Sequence, residues 1–144
     1  MIVVDTTILA LAVGAEHELR EPARRLVRAA ASRAIEATTT PEVIQEFAHI
    51  RGRRHGRNDA ARLARRFAEL LSPLIVVEAH HLDRGLRLFE EHPELGAFDA
   101  VLAATALGHE AAALVSADAD FRVLRGLPHV EPGTRAFEEL LAQR

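Results

Sequence analysis

Met1-Ile2-Val3-Val4-Asp5-Thr6-Thr7 opens the chain with a short β-branched run that ends at a carboxylate. Such a run reads as a fully buried strand that stops at its first polar residue, and a helix can follow at once. The pattern returns downstream, where Ala113-Leu114-Val115-Ser116 forms a second apolar run that ends at Asp118. Between them, Ile35 to Thr39 and Leu74-Ile75-Val76-Val77 read as further strands, and a short strand near His129-Val130 closes the series.

The intervening segments carry helical spacing. Leu26, Val27, Ala30 and Ala31 mark a helix from Pro22 to Arg33, with Pro22 suited to a first-turn position. Thr40-Pro41 supplies an N-cap followed by proline at the first helical position, ahead of Val43, Ile44, Phe47 and Ile50. Gly52 and Gly56 loosen the chain before a helix from Asp59 to Leu71 that Pro73 breaks. Leu82 to Phe89, Asp99 to about His109, and a segment from Thr134 are the remaining helices. Apolar strands alternating with helices predict a mainly parallel sheet of four to five strands covered on both faces, an α/β/α sandwich. With 144 residues, 49% of them hydrophobic, the chain has the material for one domain over residues 1–144, and it shows no internal repeat or linker.

Composition narrows the chemistry. The absence of cysteine excludes a disulfide framework, thiol catalysis and thiolate metal sites, so any metal is held by carboxylate or imidazole. No apolar run approaches the roughly 20 residues of a membrane helix, and the first residues lack the basic start and cleavage site of a signal peptide. A cytoplasmic location is the expectation. The net charge of −3 argues against coating nucleic acid by bulk electrostatics, yet the charge is unevenly spread. All 18 positive side chains are arginine, and seven fall between Arg51 and Arg66, where Asp59 is the only acid. The planar guanidinium fork suits phosphate or carboxylate, which makes Arg51, Arg53, Arg54 and Arg57 candidate contacts for RNA or for an acidic partner. A solvated helix face accounts for any one of them singly.

Four acids stand out by position. Ligands of open α/β sheets bind beyond the carboxyl ends of the strands. Asp5 ends the first strand and Asp118 lies just beyond the strand at Ala113–Ser116. Glu46 shares a helix side with Val43, Phe47 and Ile50, so a carboxylate sits on an apolar stripe and must meet an arginine, reach solvent at the stripe's edge, or bind a cation. Asp99 opens a helix, where an acid is favoured by free amides and the dipole. Each has a structural explanation alone. Together, in a chain with no competing constellation, they point to Mg²⁺ or Mn²⁺, which need several oxygen ligands and usually keep part of their water shell.

Asp5-Thr6-Thr7, Pro41-Glu42-Val43-Ile44-Gln45-Glu46, Phe98-Asp99-Ala100 with Ala103-Ala104, and Val115-Ser116-Ala117-Asp118-Ala119-Asp120-Phe121, in that order, resemble PIN domains. The resemblance is closest to the VapC toxins of bacterial toxin–antitoxin pairs, and it covers essentially the whole chain. It implies a PIN-like fold and a metal-dependent endoribonuclease, the toxin of a type II pair that inhibits translation by cleaving tRNA or ribosomal RNA. It also implies a VapB-like antitoxin partner, a homodimer, and Asp5, Glu46, Asp99 and Asp118 as the acids that hold Mg²⁺ or Mn²⁺. Thr7 and Ser116 match hydroxyl positions that orient carboxylates, and Asp120 is an outer acid or a turn former.

Two other enzymes and one binding module compete. Among the eight histidines, the adjacent His80-His81 diverge, and His49 and His55 straddle a glycine-rich turn, so neither pair has a zinc spacing and surface positions are expected. A haloacid-dehalogenase-like phosphomonoesterase with Asp5 as nucleophile usually carries a second acid two residues on, where Thr7 stands. A non-catalytic module that binds a protein partner would use the acids only as caps.

Overall fold

The computed structural model describes residues 1–143 and contains a sheet of four strands, β1 (Ile2–Val4), β2 (Ala37–Thr38), β3 (Ala113–Val115) and β4 (His129–Val130). All are parallel, in the order β2-β1-β3-β4, with Ile2 opposite Ala37 on one side and Ala113 on the other. Seven helices flank the sheet to give the expected α/β/α sandwich: α1 (Thr6–Val13), α2 (Arg20–Ala31), α3 (Pro41–His55), α4 (Arg57–Leu70), α5 (Ala79–Glu91), α6 (Ala97–Gly108) and α7 (Arg135–Ala142). A tight turn of 3-10 helix, Ala119–Val123, follows β3. The strand order reverses direction between β1 and β3, so the connections leaving these strands diverge and open a crevice at their carboxyl ends.

Why the strands are central is visible in their burial. Ile2, Val3 and Val4 are at most 3% exposed, and Ala113, Leu114 and Val115 match them, which is the two-sided burial of an interior parallel sheet. Phe47 and Phe67 meet edge to face at 5.1 Å and lock α3 onto α4. Thr40 caps α3 as expected, its hydroxyl accepting the Val43 N–H at 3.2 Å with Pro41 at the first helical position.

The apolar run Leu74–Val77 is not a strand. Only one backbone bond, from the Ile75 N–H to the Thr39 carbonyl at 3.0 Å, ties it to the neighbourhood of β2, and Val76 is 60% exposed. An apolar run of this length marks burial of some members, here Leu74 and Ile75 against the core, without dictating a ladder. The sheet therefore has four strands in the described residues. Helix ends also shift: α2 begins at Arg20, which leaves Pro22 in the first turn where its missing N–H is harmless. Gly52 stays inside α3, and Gly56, at φ +89°, makes the break before α4. Among the described residues, no helix is long and apolar enough to cross a membrane.

Close packing of α5 on α6 depends on Gly85. A Cβ built there would lie 2.6 Å from the Val101 Cα, a backbone atom that cannot rotate away. Gly85→Ala gains about 1 kcal/mol of helix propensity, but the overlap forces the helices apart. We expect a net loss of about 1–2 kcal/mol in urea unfolding, and an unchanged or higher midpoint would contradict this packing.

Candidate functional site

The backbone places Asp5 at the mouth of the crevice. Its N–H donates to the Val115 carbonyl at 3.0 Å, which extends the β1–β3 ladder by one step beyond the strand. The residue has the extended backbone of an N-cap to α1, yet its side chain makes no cap hydrogen bond. Instead its Oδ2 accepts from Ser116 Oγ at 2.7 Å and from Thr7 Oγ1 at 3.0 Å, while the residue is 3% exposed. Those hydroxyls in turn accept backbone protons, Thr7 from Ala117 N–H and Ser116 from Asp118 N–H, both at 3.0 Å. One carboxylate oxygen is thus fixed from both sides of the crevice. A cap would have turned the carboxylate toward its own helix; this network turns it toward β3.

Glu46, in the second turn of α3, is oriented by Thr6, whose hydroxyl donates to Oε2 at 2.7 Å. Thr6 is a positioning residue that the sequence reading passed over; the available signal was a second hydroxyl directly after Asp5, in the first turn of α1. Asp118 does cap the turn that follows it, its Oδ1 accepting the Asp120 N–H at 2.9 Å. Asp99 does not open α6 but occupies its first turn behind Gly96. Its half-buried carboxyl is pushed up from 3.8 to about 7, first by burial and then by repulsion from Asp5, Asp118, Glu46 and Asp120 in that order. The four singled-out acids and Asp120 therefore lie within electrostatic reach of one another.

What these groups lack is a counter-charge. Among the described residues, none of the five acids forms an ion pair. Among the described residues, no three of them bring oxygens within 4.8 Å of one another. Hydrogen bonds from Thr6, Thr7 and Ser116 partly offset the burial, but they carry no positive charge. A divalent cation fits this donor set: all ligands are hard oxygens, several are anionic, and their orientations are set by neighbouring hydroxyls.

Two other expectations are corrected here. Arg51 is not a free surface cation: its side chain is 15% exposed, it pairs with Asp59 at 2.6 Å and donates to the Val13 carbonyl at 3.0 Å, joining α1, α3 and α4. Arg53, Arg54 and Arg57 are exposed. The histidines are not all on the surface, since His81 is 3% exposed, packs against Gly108 and lies with its ring 4.0 Å from that of His80 at a tilt of 47°. Glu78, His80 and His81 bring three potential ligand atoms together. Yet His81 Nδ1 already accepts the Glu78 N–H at 3.0 Å, closing a reciprocal cap on α5 that uses its lone pair. Glu78 and His81 cap the helix, with His80 beside Glu78 at 3.4 Å.

The PIN domain profile matches residues 2–127. The chain is 51% identical over 148 residues to "Ribonuclease VapC7" of Mycobacterium tuberculosis, with 100% of both chains covered. Among solved structures it is similar in fold to M. tuberculosis VapC20, described as a "Sarcin-Ricin loop cleaving toxin", with 24% identity, a TM-score of 0.67 and coverage of 85% of this chain and 93% of the other. It is likewise similar to VapBC2 from Rickettsia felis bound to a DNA fragment from their promoter, at 18% identity and a TM-score of 0.71, covering 91% and 98% of the two chains.

Proposed function

Because this chain belongs to the PIN-domain family, in its VapC branch, we propose that it is a divalent-metal-dependent endoribonuclease and the toxin of a toxin–antitoxin pair. The observation that carries the reading is the set of acids gathered beyond β1 and β3, with no ion-pair partner among the described residues, where burial first and the neighbouring acids second push Asp99 up to about 7. Asp5, Glu46, Asp99 and Asp118 are the proposed ligands of Mg²⁺ or Mn²⁺, with Asp120 an outer acid. The chemistry such an ion supplies is positive charge at the scissile phosphate and a lowered pKa for attacking water.

The protein's own residues then have distinct tasks. Ser116 and Thr7 hold one oxygen of Asp5, and Thr6 holds one oxygen of Glu46. Fixing carboxylates before the substrate arrives removes reorganisation from the reaction step. Glu46 or Asp99 is the proposed acceptor of the proton that the attacking water gives up as the phosphodiester opens.

RNA incubated with the purified protein should be cleaved with Mg²⁺ or Mn²⁺, and EDTA should abolish cleavage reversibly. Attack by water leaves 5′-phosphate and 3′-hydroxyl ends, which ligation-based mapping reads directly. Ends carrying 2′,3′-cyclic phosphate, or cleavage indifferent to EDTA, would refute this mechanism. The same mapping in cells that express the protein identifies the RNA, for which tRNA and ribosomal RNA are the proposed classes. A VapB-like antitoxin is the proposed partner and a homodimer the proposed assembly. Exposed Leu82, Leu86, Phe89 and Phe98 lie along α5 and the start of α6, leading to Asp99, and offer apolar surface from which a partner segment can reach the acids.

A further inference from the structure

Away from the acids, a recess between α3 and α4 is lined by His49, Arg53 and Arg57, with Gly52, Ala60 and Ala61 among its small residues. Its position relative to Glu46 follows from helix geometry. Glu46, His49 and Arg53 stand at i, i+3 and i+7, so they run down one side of α3, and Arg53 lies about 10 Å along the axis from Glu46. One side of a single rigid helix thus begins at the proposed metal site and ends at a cationic recess.

Helix electrostatics account for half of this recess. Cations in the last turn of α3 are favoured by its dipole, so Arg53, Arg54 and His55 need no further explanation. Arg57 does. It is the first residue of α4, where the dipole disfavours positive charge, and it has no carboxylate partner among the described residues. The preceding Gly56 has no side chain to cap the free amides of that end. An anion in the recess would answer all of these at once: it would pair with Arg53 and Arg57 and lie near the uncapped N-terminus of α4. Asp59, the acid of that first turn, is already committed to Arg51 and Arg62.

We infer that His49, Arg53 and Arg57 form a phosphate subsite that holds the RNA backbone beside, and not at, the bond to be cut. The inference rests on the RNA-cleaving reading above. It assigns Arg53 and Arg57 to substrate, adds His49, and removes Arg51. The subsite binds backbone without reading bases, so it positions the strand and contributes affinity for any single-stranded sequence.

The test is binding of a fluorescent single-stranded RNA of mixed sequence to the full chain in EDTA, so that nothing is cut, over a range of salt. An Arg53→Ala/Arg57→Ala double variant should bind about tenfold more weakly, with a salt slope shallower by about 0.7 for one lost phosphate contact. Arg84→Ala, an exposed arginine on α5 with no ion-pair partner among the described residues, removes a like charge elsewhere and should leave the slope unaltered. Equal effects of the two variants, or no effect of the double variant, overturn the subsite while leaving metal-dependent cleavage intact. Wild-type protein that shows the expected RNA binding but cuts nothing with Mn²⁺ overturns the nuclease reading and not the subsite. If the double variant binds RNA normally but loses a co-expressed antitoxin, the recess belongs to the protein partner and the inference fails.

Discussion

Asp5→Asn should lower RNA cleavage by about 10³-fold or more, because removing one anionic ligand forfeits several kcal/mol of charge stabilisation at the phosphate. The fold should survive. Asparagine keeps an oxygen of the same shape for the Ser116 and Thr7 hydroxyls, which donate at 2.7 and 3.0 Å to Oδ2, and its amide replaces the other oxygen. It also removes one repulsive charge from a site where Asp99 already responds to its neighbours. Metal-free stability in urea should therefore be equal or slightly higher than in the wild type, while Mn²⁺-dependent stabilisation shrinks. Cleavage within tenfold of wild type by a folded Asp5→Asn protein would remove Asp5 from the proposed machinery. Loss of both fold and activity would instead mark the residue as structural.

Much of this arrangement was legible in the residues because the informative features are short-range. A β-branched run ending in a carboxylate, as at Ile2–Asp5, needs only local chemistry to be read as a buried strand with a polar end, and Thr40-Pro41 dictates its own cap. Leu74–Val77 was misread because burial and strand pairing are different facts; whether a neighbouring strand has a free edge in register is a tertiary property. Arg51 looked like its neighbours in the basic stretch until Asp59 and the Val13 carbonyl came within reach of it. His81 could not be placed on or off the surface from its spacing, since its burial arises from Gly108 across the α5–α6 contact. Thr6 and Thr7 are indistinguishable as letters. The start of α1 sends one hydroxyl to Glu46 and the other to Asp5, and only the helix phase separates them.

In metal-free protein, Asp99 should make stability fall as pH rises. An unfolded chain releases this proton near 3.8, whereas the folded carboxyl keeps it to about 7. Between those values the folded state binds more protons than the unfolded one, so stability declines across that window and levels off above it. The difference taken whole amounts to about 4 kcal/mol, and the water that reaches this half-buried group reduces it to about 1–2 kcal/mol. Urea unfolding in EDTA at about pH 5 and pH 8 should show this decline in the wild type, and Asp99→Asn should lack that component and be the more stable of the two at the higher pH. Mg²⁺ or Mn²⁺ should reverse the order. A cation competes with the proton for the same oxygens, so added metal stabilises wild type increasingly as pH rises, while the variant gains less. The two halves of the experiment separate burial from function: a hydrophobic pocket alone raises the carboxyl's affinity for a proton but gives no metal response. If Asp99→Asn keeps the wild-type pH dependence, Asp99 is not the group that titrates in this window. If the dependence is lost but metal stabilises both proteins equally, burial and the neighbouring acids raise this carboxyl without its serving as a ligand.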